Sequence, residues 1–417
     1  IDHQDPHHDT IIRKNVDNLT PEEINSLRRA MADLQSDKTA GGFQQIAAFH
    51  GEPKWCPSPD AEKKFSCCVH GMAVFPHWHR LLTVQGENAL RKHGCLGALP
   101  YWDWTRPLSH LPDLVLVSSR TTPMPYSTVE ARNPWYSGHI DTVGVDTTRS
   151  VRQELYEAPG FGHYTGVAKQ VLLALEQDDF CDFEVQFEIA HNFIHALVGG
   201  SEPYGMASLR YTTYDPIFYL HHSNTDRLWA IWQALQKYRG KPYNSANCAI
   251  ASMRKPLQPF GLTDEINPDD ETRQHAVPFS VFDYKNNFNY EYDTLDFNGL
   301  SISQLDRELS RRKSHDRVFA GFLLHGIQQS ALVKFFVCKS DDDCDHYAGE
   351  FYILGDEAEM PWGYDRLYKY EITEQLNALD LHIGDRFFIR YEAFDLHGTS
   401  LGSNIFPKPS VIHDEGA

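Results

Sequence analysis

The chain has 417 residues, 41% of them apolar and 12% aromatic, which excludes wholesale disorder and exceeds one ordinary core, so two domains are expected. A formal net charge of −19 excludes nucleic acid and anionic membranes as partners, while the surplus carboxylates leave room for calcium or magnesium between subunits. No run approaches the roughly 18 apolar residues of a membrane span, and 22 histidines raise the expectation of a metal site.

The chain opens at Ile1 without a methionine or signal peptide and closes on the polar tail HDEGA, so both ends read as cut from something longer, a processed protein or one unit of a tandem polypeptide. Asn18-Leu19-Thr20 is an N-x-S/T sequon. Pro21 follows it, and Thr20 reads equally as the N-cap of a helix with Pro21 at its first position and Glu23 at its third. Ile24, Leu27, Met31 and Leu34 continue that helix at helical spacing, and Gly41-Gly42 stops it. Further helical stretches are expected around residues 67–93, 165–176, 184–198 and 223–238. The Pro/Gly-rich connection 97–165 is long enough to suggest a functional loop. Residues 302–309 read as a helix joining two parts, and the character then changes. Residues 331–338, 351–354, 367–372 and 386–393 are rich in aromatic and β-branched residues between Gly/Asp clusters, the pattern of an antiparallel sandwich or small barrel. The expected division is a helical domain over 1–314 and a β domain over 315–417.

Eight cysteines are too few for a disulfide-only scaffold, and no C-x-x-C pair suggests a zinc ribbon or redox motif. Cys338 and Cys344 flank KSDDD, which reads as a hairpin loop closed by a bridge, and Cys56 and Cys67 flank a loop with two prolines. An oxidising, extracellular setting fits this usage.

His191-Asn-Phe-Ile-His195 puts two imidazoles on one helix face. A zinc protease would carry Glu after the first histidine as general base; Asn192 stands there, so that reading fails. Downstream, DPIFYLHHSNTDR offers His221 or His222 as a third ligand, with Asn224 or Asp226 to orient a ligand or cap the helix. Upstream lie His50 in AAFHGEPKWC, His70 in CCVHG, and His77 and His79 in FPHWHR, among Phe49, Phe75, Trp78, Trp102 and Trp104. Any one of these could be a satisfied core histidine; two sets of three point to metal. Three neutral imidazoles without carboxylate or thiolate suit copper and also zinc. A pair of such sites among aromatic side chains suits redox chemistry, two cuprous ions reducing dioxygen to a bound peroxide that a dry pocket lets leave again.

The motifs FPHWHR, PYWDW, FEIAHNFIH and DPIFYLHHSNTDR resemble those of the type 3 copper proteins, and FAGFLLHGI with the strands after it extends the resemblance to the functional units of molluscan hemocyanins. The resemblance implies an α+β multidomain fold: a mainly helical dicopper domain on a four-helix-bundle core, then a C-terminal antiparallel β-sandwich covering the copper site. It implies copper A on His50, His70 and His79 and copper B on His191, His195 and His222, with His77 and His221 off the metal. A thioether from Cys68 to His70 is implied, as are the pairs Cys56–Cys67, Cys181–Cys248 and Cys338–Cys344; Cys95 is left over. It further implies dioxygen as the ligand, a secreted hemolymph protein, and assembly with other units of the same polypeptide into large oligomers.

The same copper pair serves carriers and the related tyrosinases and catechol oxidases, so the six histidines do not decide between them. Access does: in the family the β domain pushes a leucine into the entrance. The matching residues are Leu323 and Leu324, of which strand alternation lets only one point inward, and Leu324 is favoured. The expectation is an oxygen carrier with latent o-diphenol oxidase activity. A storage protein with a non-redox metal is the outlying alternative.

Overall fold

The computed structural model describes residues 10–53, 56–57, 64–124, 127–157, 166–250, 252–254, 256–260, 276–324, 329–355, 365–382, 384–402 and 405–416. Helix α1 (Pro21–Ser36) begins as its sequence dictates: the Thr20 hydroxyl accepts from the Glu23 N–H, and the Glu23 carboxylate accepts from the Thr20 N–H. After α2 (Phe43–Ala48), helix α3 spans Phe75–Lys92 and starts later than the apolar pattern from residue 67 suggests. Gly71 takes φ +66°, a left-handed turn that breaks any helix, and Pro76 then sits in the first helical turn, where its missing N–H costs nothing.

Three further helices complete the bundle: α4 (Gly166–Leu175), α5 (Phe180–Gly199) and α6 (Ile217–Tyr238). Contacts join α4 to α5, α3 to α6, α4 to α6 and α3 to α5. Helix α5 is apolar almost all round its circumference and accordingly lies buried along nearly its whole length. The connection expected as one long loop carries local structure. It holds short helices at Asp113–Leu116 and Glu154–Glu157 and an antiparallel hairpin of Ser119–Met124 with Ser127–Arg132, while residues 158–165 lie outside the described residues.

Strand β1 (Ile11–Arg13) pairs in parallel with β2 (Tyr290–Tyr292), bringing the two ends of the helical part together. Helix α7 (Ile302–Lys313) leads into β3 (Arg317–Leu324), β4 (Ala331–Cys338), β5 (His346–Ile353), β6 (Arg366–Glu371), β7 (Phe388–Phe394), β8 (Ser400–Gly402) and β9 (Ser410–Asp414). These form two antiparallel sheets in the orders β5-β4-β7-β8 and β6-β3-β9, a sandwich rather than a barrel among the described residues. Alternation is visible in β3: Val318, Ala320, Phe322 and Leu324 enter the sandwich core beside Val333, Phe335 and Val337, while Leu323 is half-buried on the other face. The three disulfides Cys56–Cys67, Cys181–Cys248 and Cys338–Cys344 are formed, and Cys68 and Cys95 are buried and in no disulfide.

The two cores meet along α5. Its Ile189 packs into the sandwich cluster, and Leu332 and Tyr352 of the sandwich pack into the helical cluster. Gln186 of α5 covers the backbone of edge strand β6, donating to the Leu367 carbonyl at 3.1 Å and accepting from the Lys369 N–H at 3.1 Å. Beside it, buried Arg366 bonds Glu184 at 2.5 Å and Glu188 at 3.0 Å.

Candidate metal centre

Helix periodicity puts His191 and His195 one turn apart on the inner face of α5, and the opening turns of α6 bring His222 against them. The His195 and His191 Nε2 atoms are 2.9 Å apart, and each lies 3.3 Å from His222 Nε2. Three neutral imidazoles cannot fill such a triangle with protons, since every atom must act as donor and acceptor together. A cation at its centre resolves the conflict: nitrogens about 2.0–2.1 Å from a tetrahedral ion stand about 3.3 Å apart.

The second triad uses less regular backbone. His50 follows the end of α2, His70 lies in the irregular run before Gly71, and His79 is in the second turn of α3. Their ring centroids are 4.9–5.6 Å apart, and one nitrogen of each lies within 4.8 Å of the others. The Nε2 atoms of His50 and His79 and both nitrogens of His70 are buried without a hydrogen-bond partner among the described residues. Each such atom costs about 1–3 kcal/mol, a cost that a shared cation removes for one nitrogen of each ring. The two triads adjoin: the His79 and His222 rings stack at 4.6 Å, and His191 lies 6.0 Å from both His70 and His79.

The outward nitrogens of most of these rings are held. His50 Nδ1 bonds the Leu209 carbonyl (2.9 Å), His79 Nδ1 the Phe75 carbonyl (3.0 Å) and His195 Nδ1 the Met206 carbonyl (2.8 Å). A carbonyl accepts only, so each of these Nδ1 atoms carries the proton and Nε2 offers its lone pair. His191 Nδ1 pairs with Asn192 Oδ1 at 2.9 Å in the same sense. Burial, reinforced by His195 and opposed by the Leu209 hydrogen bond, pushes the His50 imidazole down to about 3. Burial takes His195 down to about 4 against the Met206 hydrogen bond, and lowers His70, His79, His191 and His222 well below their ordinary value. The rings are thus neutral and ligand-ready at neutral pH.

Residues 40–235 match the family described as the common central domain of tyrosinase, and residues 312–415 match the haemocyanin beta-sandwich. The chain is 73% identical over 414 residues to the Hemocyanin 2-c chain of Megathura crenulata, covering 98% of each. The chain belongs to the molluscan hemocyanins. It is also 78% identical over its full length to Hemocyanin 2 of that organism, of which it spans only 12%. Deoxygenated hemocyanin from Rapana thomasiana superposes with a TM-score of 0.92 at 46% identity, covering 97% of this chain and 99% of that one.

Within this hemocyanin chain the paired histidines of the two motifs part company. His77, two residues from His79, points away from the triads and packs between Phe282 (4.5 Å), Trp229 (4.8 Å) and Phe180 (5.5 Å). His221 is closer than a bystander: it belongs to the cluster of His191, His195 and His222, and its ring stacks on His191 at 4.8 Å. Only His222 brings Nε2 into the triangle.

Two sequence expectations are corrected. Asp226 neither caps α6, which starts at Ile217, nor bonds a histidine among the described residues. Its carboxylate takes Arg80 (2.5 Å), Arg13 (3.1 Å), Tyr290 (2.5 Å) and Tyr292 (2.5 Å), joining β1, β2, α3 and α6. Burial alone would raise that carboxyl, but Arg80 and Arg13 hold it below its ordinary range. Asn224 is buried in α6 with neither amide atom bonded among the described residues. The orienting groups are instead Asn192, Thr212 (3.1 Å from His195 Nδ1) and the Leu209, Met206 and Phe75 carbonyls. Asn192 alone carried a sequence signal, as the residue standing where a protease has Glu.

Glu188 was also missed. Its carboxylate accepts the Gly71 N–H at 2.7 and 3.0 Å while holding Arg366 of β6, so a sandwich residue steadies the backbone next to His70. Cys68, whose N–H donates to the His50 carbonyl at 3.4 Å, steadies it from the other side.

Proposed function

We propose that this chain reversibly binds dioxygen between two copper ions, copper A held by His50, His70 and His79 and copper B by His191, His195 and His222. The reading is carried by the triangle of Nε2 atoms 2.9–3.3 Å apart with the second histidine triad against it. When bound, the copper pair supplies the electrons that hold dioxygen and takes them back on release. The chain's own residues do the rest. Carbonyls at Leu209, Phe75 and Met206 fix the protons on Nδ1 and leave Nε2 free for metal. Burial keeps the imidazoles neutral, so they offer no acidic proton to the ligand.

The histidines are 0–3% exposed, a burial that supports a small ligand such as dioxygen over a phenol. The division of labour proposed is therefore residues 1–314 holding copper and residues 315–417 covering it. Leu324 is the favoured blocking residue. It packs in the sandwich cluster at the end of β3, and its ladder partner Arg366 reaches Glu188 beside Gly71, which supports the reading that this end of the strand lies towards His70. Leu323 lies on the opposite face.

A second reading, latent o-diphenol oxidation, is supported by the tyrosinase central-domain match over residues 40–235. One assay separates them: the intact copper-loaded chain should turn over an o-diphenol slowly, and detergent that loosens the sandwich should speed it. Fast turnover by the intact chain would contradict the carrier reading.

Family membership also supports a thioether from Cys68 to His70, fixing that ring before metal arrives. A peptide spanning both residues should then be lighter by the hydrogens lost in forming the bond. Secretion into hemolymph, dioxygen as cargo and assembly with sibling units, with calcium or magnesium between them, are proposed on the same basis.

A further inference from the structure

Helix α5 has two working faces. The histidine face looks into the bundle; Phe193 and Leu197, each about half a turn round from His191 and His195, look the other way. They wall a cavity of about 430 Å³ between α4 and α5 on one side and β4 and β5 on the other. Its body is apolar, formed by Phe193, Leu197, Val167 and the rings of Tyr347 and Tyr370. The backbone is shaped for it: a Cβ on Gly349 would lie 2.7 Å from the Phe335 and Tyr370 rings, so this wall admits only glycine.

The polar lining includes the amide side chains of Gln170 and Gln375 and the hydroxyl-bearing rings of Tyr347 and Tyr370. Carboxylates come from Glu350 and, at the exposed rim, Glu154; among the described residues the lining cation is Lys334, directly across the strand pair from Glu350. Burial and the like charge of Glu154 raise the Glu350 carboxyl, although Lys334, Tyr347 and Arg152 oppose this. The lining thus carries two carboxylates against one ammonium, and its aromatic walls suit a cation or a ring.

We propose that this cavity is a second ligand site, separate from the histidine centre, for a small arylalkyl ammonium ion. The ammonium head faces the Glu350 and Glu154 carboxylates, and the aryl group lies among Phe193, Tyr347 and Tyr370. Neither carboxylate is needed for copper, and α5 stands between this site and the metal.

The test is calorimetric titration of the copper-loaded chain with 2-phenylethylammonium, which has no hydroxyl and is no substrate for a phenoloxidase. Phenylacetate and 2-phenylethanol, of like shape, serve as anionic and neutral comparators. Saturable binding should favour the ammonium ion over phenylacetate by at least about tenfold, and Glu350→Gln should weaken it by about tenfold. Tyr347→Ala, at a half-exposed rim position that threatens folding little, should weaken it further. Binding of all three probes alike, binding unchanged in both variants, or no saturable heat would overturn the proposal. So would heat that disappears when copper is removed, since the probe would then report the histidine centre.

Discussion

The two histidine triads reach similar convergence by different means. His191, His195 and His222 come from two long buried helices whose periodicity aims them, with Asn192 and the Met206 carbonyl fixing two of the rings. His50, His70 and His79 draw two of three rings from irregular backbone, where nothing in the local repeat fixes a side chain. Anchors from elsewhere substitute: the Cys56–Cys67 disulfide, the Leu209 carbonyl under His50, and Glu188 on the Gly71 N–H. A helical ligand pair is held by its own element, whereas a loop ligand is held by its neighbours, here including Arg366 of the sandwich.

The largest effect expected touches both triads together. Because the folded values of His50 (about 3) and His195 (about 4) lie below the ordinary imidazole value of about 6.5, the unfolded chain gains protons first as the solution is acidified. Stability of the metal-free chain is therefore complete above pH 6.5 and falls below it. The loss is about 1.4 kcal/mol per pH unit for each such histidine, until the folded rings titrate. Denaturant melts across that range measure the slope; a flat profile would show that the rings are not buried neutral. Copper should be released over the same range, since its ligands must stay unprotonated.

Arg366→Ala sharpens the contrast between triads. It leaves Glu184 and Glu188 buried without their cation, a loss of about 3–5 kcal/mol readable by thermal melting. Because Glu188 also holds Gly71, the loop triad should lose copper before the helical one. Equal loss from both would deny the anchor. Asn192→Ala probes the other side: it removes the Oδ1 partner of His191 and the 3.2 Å bond to the Tyr352 carbonyl. Copper affinity of the helical triad should fall about 10–100-fold by chelator competition, with the loop triad nearly unchanged.

The same contrast explains how much was legible in the sequence. His191 and His195 could be read from spacing alone, and strand Ala331–Cys338 from its pattern. Choosing His222 over its neighbour could not, because both sit in one helical turn and only three-dimensional packing separates their nitrogens. His50 and His70 lie in segments without periodicity and were found through the family motifs. Asp226 was misread for a physical reason: its partners Arg13 and Tyr290 lie far off in the chain and meet it only once β1 and β2 pair. Strand β9 was overlooked because Ser410–Asp414 is short, with no apolar face of its own.

The most direct test of the copper-pair account is a metal count with a near-ultraviolet spectrum of the same copper-loaded sample. The account requires copper at both triads and an absorption band that appears under oxygen, bleaches on deoxygenation and returns. Copper at one triad only, or a spectrum indifferent to oxygen, would contradict it.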